Sequence, residues 1–197
     1  PGKDLTLTLD SELQKLAVEL LDGRRGSIVA IAPASGEILA LASVPGFDSN
    51  QFVTGIDLAS YRALQEDPDL PLYNRAIRGH YPAGSTVKPF MAISGLKEGV
   101  ITPGEVIYDP GYYQLPNDSR RYRNWLRWGH GRVDLERAIA VSNNTYFYSL
   151  AHDLGIDRIH ENMTAFGFGQ RVAHDVQGPA SDAAGDFSWL LGCLALD

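Results

Sequence analysis

The chain has 197 residues, of which 44% are hydrophobic and 21% charged, an ordinary globular composition that excludes collagen-like and intrinsically disordered chains. Its 17 Lys or Arg and 24 Asp or Glu residues give a formal net charge of -7, which argues against a dedicated binder of nucleic acid or anionic membranes. The single cysteine, Cys193, excludes an internal disulfide, and no apolar run reaches the roughly 18 residues of a transmembrane helix.

The first predicted elements are a strand and a helix. Residues 5–9 alternate leucine with polar residues, which is the period of a half-buried strand. The apolar stripe over residues 13–21 has helical spacing, and Ser11 with Gln14 three residues later predicts a capping box at its start. Gly23 is suited to end this helix, because glycine adopts the left-handed conformation that follows many helices.

A β-hairpin is predicted next. Residues 27–32 and 37–44 are two short apolar runs, and residues 33–36 between them contain the proline, serine and glycine of a turn. Two such runs around one turn indicate an antiparallel pair of strands. Because both runs are apolar on both faces, we expect the hairpin to lie centrally in a covered sheet.

Beyond the hairpin, loop-rich and helical segments alternate. Residues 45–80 are polar and loop-rich, residues 86–96 have a helical pattern, and residues 102–132 are irregular and rich in aromatic side chains. Three further helices are predicted at 134–141, 145–154 and 157–166. An antiparallel sheet with clustered helices predicts the α+β class.

The spacing of Ser85 and Lys88 places both on one face of a helix. Pro89 lacks an N–H and fits only a first helical turn, so we expect Ser85 at the N-cap or within that turn, where unpaired N–H groups favour negative charge. A lysine with a lowered pKa can activate such a serine as a nucleophile. The alternative is a capping serine beside a solvated lysine, since Ser-x-x-Lys alone is a frequent chance match.

A second polar segment, Ser142-Asn143-Asn144, lies between two predicted helices, the first of which has Asp134 as its expected N-cap. The segment would project a hydroxyl and two amides from a tight turn. The plainer alternative is a helix-capping turn, because serine and asparagine commonly serve there. Ser-x-x-Lys followed by Ser-x-Asn is, however, the motif order of penicillin-binding proteins and serine β-lactamases.

Longer segments resemble the class B penicillin-binding proteins. Residues 81–90, Tyr-Pro-Ala-Gly-Ser-Thr-Val-Lys-Pro-Phe, resemble the segment that carries the nucleophile of this family, and residues 2–10 and 32–40 resemble other parts of it. Residues 108–116, 121–125 and 128–132 resemble the elongation-type members. The resemblance implies an α+β transpeptidase fold like that of penicillin-binding proteins and serine β-lactamases: an antiparallel sheet flanked by helices, with a helical subdomain.

The resemblance also implies an activity and the residues that perform it. Family members cross-link peptidoglycan stem peptides through a serine acyl-enzyme, the elongation type does so during cell elongation, and β-lactams acylate the same serine. At the matching positions, Ser85 would be the nucleophile and Lys88 would take its proton. Ser142 would relay a proton toward the leaving D-Ala, and Asn144 would bind the substrate amide and help to orient the lysine. No cofactor is implied.

Two features depart from the family pattern. The third motif, Lys-Thr-Gly or a close variant, is absent, because no lysine follows Lys97. Residues 178–197 do not resemble the family's continuation. We therefore expect residues 1–197 to be a single, incomplete transpeptidase domain that lacks the C-terminal strands and need not be active by itself.

Some elongation-type members carry a zinc ion near the active site. The matching positions here are Asp109, Asn124, His130 and Asn143, of which only the aspartate and the histidine are good zinc ligands. We therefore expect no metal. Arginines and aromatic residues interleave over 120–132 in a pattern that can bind single-stranded nucleic acid, but the acidic net charge favours a loop beside the active site.

The family resemblance further implies a location and partners. The protein would lie at the periplasmic face of the bacterial inner membrane, held by an N-terminal anchor outside this sequence. Its partners would be stem peptides, β-lactams and a membrane glycan polymerase of the elongation machinery, and not nucleic acid. Two alternatives stay open: a serine β-lactamase or D,D-carboxypeptidase, and a β-lactam sensor that is acylated without turnover.

Overall fold

The structure is a computed structural model that describes residues 4–116 and 118–170. The chain forms two compact units that divide between His80 and Tyr81. The departure expected at residues 178–197 lies outside the described residues, so it stays a prediction, as does the single incomplete domain. None of the described helices has the length and apolar character needed to span a membrane.

The first unit contains the predicted helix and hairpin. Its elements are α1 (Ser11–Leu21), β1 (Gly26–Ile31), β2 (Ile38–Val44), a 3-10 turn (Ser49–Phe52), α2 (Leu58–Glu66) and α3 (Arg75–Arg78). Strands β1 and β2 pair antiparallel, which confirms the hairpin. Helix α1 packs against β2, and the buried side chains there are small: Ala17, Ala40 and Ala42. Small side chains allow the helix to lie close to the strand.

Two expectations for the start of this unit are wrong. Residues 5–9 are irregular and exposed: Thr8 donates its hydroxyl to the carbonyl of Ile38 in β2 at 2.7 Å, but the backbone of this segment forms no ladder with that strand in the described part of the chain. Asp10, rather than Ser11, caps α1, and its Oδ1 accepts two backbone N–H groups of the first turn. Gln14 makes no capping box. Its side-chain amide bonds both the N–H and the carbonyl of Leu41, at 2.7 and 3.1 Å, and so supports β2.

The remainder of the first unit also differs from expectation. Helix α2 lies within residues 45–80, which were expected to be loop-rich, and Asp57 caps it by accepting the N–H of Ser60 at 2.9 Å. The described residues supply two strands to the sheet, and Val29 and Ile31 of β1 are 42% and 54% exposed. The expected cover on both faces is therefore not found among the residues that the structure describes.

The second unit holds the larger hydrophobic core. Its elements are a 3-10 turn (Gly84–Val87), α4 (Lys88–Lys97), β3 (Ile107–Asp109), β4 (Tyr112–Tyr113), β5 (Tyr122–Arg123), β6 (Gly131–Val133), α5 (Leu135–Ala140), α6 (Asn144–Leu154) and α7 (Ile156–Ala165). The four helices confirm the predicted helical segments, and Asp134 caps α5 as expected. The short strands were not predicted from the sequence; they pair antiparallel as β3 with β6 and β4 with β5.

Helix α6 lies at the centre of this core. It packs against α4, α5 and α7 and against strands β3, β4 and β5. Phe147 and Leu150 of α6, Met91 of α4 and Ile159 of α7 are at most 2% exposed. Burial of each such side chain stabilises the fold by about 1.5–3 kcal/mol. The first turn of α6 is therefore attached to a rigid part of the unit.

Two glycines allow the loop after β3 to lie against the loop before β6. At Gly111, where φ is +94°, an added Cβ would lie 2.1 Å from the carbonyl oxygen of Arg127. At Gly129, where φ is +76°, an added Cβ would lie 2.1 Å from the carbonyl oxygen of Asp109. Both positions combine a left-handed backbone with a contact that leaves no room for a side chain.

Replacing Gly111 with alanine is expected to lower the free energy of unfolding by about 2–4 kcal/mol, because the methyl group meets backbone and the positive φ is strained. Urea denaturation measures the change. Gly104→Ala is the matched control, since nothing lies within 4 Å of its ideal Cβ. Equal losses of stability in the two variants would contradict the close approach of the two loops.

Candidate active site

Ser85 and Lys88 lie where a 3-10 turn runs into α4. Ser85 belongs to the turn Gly84–Val87, and Lys88 is the first residue of the helix. Pro89 follows in the first turn of α4, where its missing N–H costs no hydrogen bond. Ser85 is exposed, whereas the side chain of Lys88 is buried and the residue is only 7% exposed.

The Ser142–Asn144 turn connects α5 to α6. Ser142 has a φ of +51°, a left-handed conformation that is uncommon for serine. Asn143 caps α6, and its Oδ1 accepts the backbone N–H of Tyr146 at 2.7 Å. The capping interpretation of this segment is thus correct for Asn143, while Ser142 and Asn144 direct their side chains toward Lys88.

A chain of hydrogen bonds joins the four candidate residues. The Lys88 ammonium donates to the carbonyl of Ser142 at 2.9 Å, to its Oγ at 3.1 Å and to Oδ1 of Asn144 at 2.6 Å. The hydroxyl of Ser142 donates to Oγ of Ser85 at 2.8 Å. Residues more than 50 positions apart in the chain therefore meet in one site, and Ser142 lies between the lysine and the exposed serine.

Burial lowers the pKa of Lys88 from its ordinary value of 10.5 to about 8. The cause is desolvation, which disfavours the ammonium form. With this pKa, about one lysine in ten is neutral at pH 7. Lys88 can therefore act as a general base near neutral pH.

A small cavity opens beside these groups. Its volume is about 160 Å³. Its walls are formed by Gly84, Ser85, Val87, Lys88, Asn144, Phe147 and Tyr148. Ser85, Lys88 and Asn144 are thus among the residues that a small group placed in this cavity would meet.

A buried polar cluster lies behind the Ser142–Asn144 turn. Oδ2 of Asp109 accepts from the Nδ2 groups of Asn124 and Asn143, at 2.6 and 2.7 Å, and lies 3.1 Å from Nδ1 of His130. Oδ1 of the same carboxylate accepts from the hydroxyl of Thr145 at 2.6 Å. We call these five residues the Asp109 cluster.

The carboxylate of Asp109 is fully buried and remains ionised. Burial acts to raise its pKa, but hydrogen bonds from Thr145, from the backbone of Gly111 and from both the backbone and the ring of His130 hold that pKa far below its usual range. A carboxylate that accepts this many hydrogen bonds is stabilised in its charged form. The cluster therefore keeps one negative charge in the interior without a neighbouring Lys or Arg in the contacts that hold it.

Comparison with known proteins decides the family. The model of the family described as "Penicillin binding protein transpeptidase domain" matches residues 26–194. The chain belongs to this family. This finding confirms the resemblance and, with the helices and sheets described above, the α+β transpeptidase fold.

Individual relatives support the same family. The chain is 51% identical over 175 residues to "Peptidoglycan D,D-transpeptidase MrdA" of Acinetobacter baumannii, which covers 89% of this chain and 26% of that protein. It superimposes with a TM-score of 0.90 on Pseudomonas aeruginosa PBP2 in complex with WCK 5153, at 55% identity, covering 98% of this chain and 42% of that one. The chain thus spans about a quarter of the length of the curated relative.

A second solved structure is a complex of PBP2 with MreC from Helicobacter pylori. Its PBP2 is 34% identical to this chain, with a TM-score of 0.78, and the match covers 83% of this chain and 30% of that one. The relatives of this chain carry the names PBP2 and MrdA. These names agree with the resemblance of its sequence to elongation-type members.

In this penicillin-binding protein domain, the positions that match a zinc site do not fit the ion. Asn124 and Asn143 direct their NH₂ groups at the carboxylate of Asp109, and an amide NH₂ donates hydrogen bonds but offers no lone pair to a metal. Among residues 4–116 and 118–170, no three His, Cys, Asp or Glu side chains are grouped so that they could share a metal ion.

Two supports of the site were not predicted from the sequence. Thr145 donates to the buried carboxylate of Asp109, and the indole N–H of Trp125 donates to the carbonyl of Val141 at 2.9 Å, one residue before Ser142. Thr145 directly follows Asn144 of the Ser-x-Asn motif, and Trp125 directly follows Asn124, one of the positions that match a zinc site. Their contacts depend on a fold that brings separate segments together.

Proposed function

We propose that the protein is a peptidoglycan D,D-transpeptidase of cell elongation, with Ser85 as the nucleophile that β-lactams also acylate. The observation that carries the proposal is the hydrogen-bond chain from the buried Lys88 through Ser142 to the exposed Ser85. Family membership supports it, and so does the similarity to proteins named peptidoglycan D,D-transpeptidase.

Acylation begins when Ser85 attacks the carbonyl carbon of the terminal D-Ala-D-Ala bond. With the amine of Lys88 neutral, the two hydroxyls donate in the reverse direction: the proton of Ser85 passes to Oγ of Ser142, and the proton of Ser142 passes to Lys88, along separations of 2.8 and 3.1 Å. The backbone N–H of Ser85 binds the developing oxyanion, a type of contact whose loss typically costs about 2.7–4 kcal/mol. The C–N bond then breaks, and the same two residues return the proton to the leaving amine of D-Ala.

Cross-linking completes the cycle. The amine of a neighbouring stem peptide attacks the ester carbonyl, and its proton travels through Ser142 to Lys88 while the new amide bond forms. The ester bond breaks, and Ser85 regains its proton from the same pair. Lys88 therefore acts as base at each attack and as acid at each departure.

Asn144 orients both the base and the substrate in this proposal. Its Oδ1 accepts from Lys88 at 2.6 Å and fixes the amine beside Ser142. Its Nδ2 is the group that donates to the substrate amide, because Asn144 also lines the cavity. The side chain thus connects recognition of the stem peptide to the position of the proton acceptor.

The proposed location is the periplasmic face of the inner membrane, where peptidoglycan is assembled, through an anchor outside residues 1–197. The proposed partner is a membrane glycan polymerase of the elongation machinery. Similarity to PBP2 of Helicobacter pylori, which was solved in complex with MreC, supports assembly with other proteins. We also propose that residues 1–197 alone do not complete the active site, because they contain no Lys-Thr-Gly motif.

The test uses the protein at its natural length, a stem pentapeptide ending in D-Ala-D-Ala and a D-amino acid as the acceptor. We expect the acceptor to replace the terminal D-Ala, and a fluorescent penicillin that acylates the protein to block the exchange. Hydrolysis of the pentapeptide without exchange would indicate a carboxypeptidase, and rapid release of hydrolysed penicillin a β-lactamase. Stable labelling with no reaction of the pentapeptide would indicate a sensor.

A further inference from the structure

We propose that the Asp109 cluster is a metal-independent positioning unit, which holds the Ser142–Asn144 turn by hydrogen bonds alone. The inference rests on the proposed function for its effect on acylation, while its structural part stands on the described contacts. The five residues of the cluster position other groups and do not react themselves. None of them belongs to the hydrogen-bond chain that joins Lys88 to Ser85.

The orientation of both amides is set by backbone donors. Oδ1 of Asn143 accepts the N–H of Tyr146 at 2.7 Å, and Oδ1 of Asn124 accepts the N–H groups of Trp125 and Asn144 at 2.9 and 3.2 Å. Turning either amide over would set its NH₂ against N–H groups. The two NH₂ groups therefore face the interior of the cluster, where a cation would have to bind.

The carboxylate at the centre is saturated by donors. Oδ2 of Asp109 accepts from two amides and from the backbone N–H of His130 at 2.9 Å, and Oδ1 accepts from Thr145 and from the N–H of Gly111 at 2.8 Å. In the described contacts, hydrogen bonds supply what a bound cation would otherwise supply: stabilisation of the buried charge and a fixed geometry around it.

The cluster reaches the reacting groups through two short connections. Asn143 is completely buried and stands between Ser142 and Asn144 in the chain. Asn124 also holds the backbone N–H of Asn144. Ser142 has a left-handed backbone, a conformation that persists only where the surroundings hold it. Because the cluster holds Asn143 and Asn144, the oxygen atoms of Ser142 and Asn144 that accept from Lys88 stay in place.

The decisive variant is Asn143→Asp. The new carboxylate still accepts the N–H of Tyr146 and still caps α6, but it replaces a donor to Asp109 by a second negative charge. Without metal, we expect the rate constant of acylation by fluorescent penicillin to fall about 10- to 100-fold. The affinity of the non-covalent complex that forms before acylation should change little. Added Zn²⁺ should restore most of the rate and raise the unfolding midpoint, since the new carboxylate, Asp109 and His130 then form a three-ligand set.

Asn162→Asp is the matched control. Asn162 is nearly as buried as Asn143, at 2% exposed against 0%, and lies in the same unit. It donates its NH₂ to a carboxylate, Oε1 of Glu98, at 3.0 Å. This variant should lose stability without slowing acylation, and Zn²⁺ should not change it. The unaltered protein should bind no stoichiometric zinc by elemental analysis, and a chelator should change neither its acylation rate nor its unfolding midpoint.

If Asn143→Asp is acylated without metal at the same rate constant as the unaltered protein, the positioning role is overturned. Zinc bound one to one in the unaltered protein, with a loss of stability on chelation, would overturn metal independence. If Asn143→Asp does not fold, Thr145→Val replaces it, and a smaller fall in the acylation rate constant at unchanged affinity is expected. All of these measurements use the protein at its natural length. If that protein is not acylated at all, the proposed function fails, while the zinc-dependent unfolding midpoint of Asn143→Asp still tests the cluster.

Discussion

Replacement of Ser85 by alanine is expected to abolish covalent labelling by fluorescent penicillin. The hydroxyl oxygen of Ser85 is the atom that forms the ester, and its neighbour Ser142 cannot take its place, because the Ser142 hydroxyl lies between Ser85 and Lys88. Mass spectrometry of the unaltered protein should locate the adduct on the peptide that contains Ser85. The variant should fold normally, since removing one exposed hydroxyl changes stability by about 0.5 kcal/mol or less.

Ser35→Ala is a suitable control for this result. Ser35 is also exposed, but its hydroxyl donates to Glu37 in the first unit, so the variant should label like the unaltered protein. An adduct on any residue other than Ser85, or undiminished labelling of Ser85→Ala, would exclude Ser85 as the nucleophile. Labelling is measured on the protein at its natural length.

Replacement of Lys88 by methionine is expected to slow acylation by about 10²- to 10⁴-fold, the range that a general base typically contributes. Methionine keeps the buried stem but removes the amine that accepts the proton. The rate constant is measured by single-turnover labelling at saturating penicillin. Lys97→Met is the matched control in the same helix, because the side chain of Lys97 is 59% exposed and bonds Asn162 and Glu98.

The pH dependence of acylation follows from the pKa of Lys88, which burial lowers to about 8. The base is the neutral amine, so the rate constant should rise with pH through this pKa. We expect an increase of about fivefold between pH 7 and pH 8 and a plateau above about pH 9, when nearly all of the amine is neutral. Lys97→Met should keep this profile. A rate constant that is flat from pH 6 to pH 9 would contradict Lys88 as the base.

Local patterns in the sequence predict several parts of this protein correctly. The apolar runs around residues 33–36 predict the hairpin, and helical spacing predicts α1 and α4 to α7, because both patterns depend on neighbours within a few positions. The strand expected at residues 5–9 and the missed helix α2 show the limit of such patterns. A strand requires a partner, and a short, mostly exposed helix leaves only a weak apolar stripe.

By itself, the sequence determined the candidate nucleophile and its companions, since Ser85 with Lys88 and Ser142 with Asn144 are motifs of three or four adjacent positions. Only the tertiary structure decided what these residues can do. The pKa of Lys88 depends on burial, and the direction of the Asn124 and Asn143 amides depends on backbone donors. The physical reason is distance along the chain: the hydrogen bonds that join Lys88 to the turn span more than 50 residues, and no local pattern encodes them.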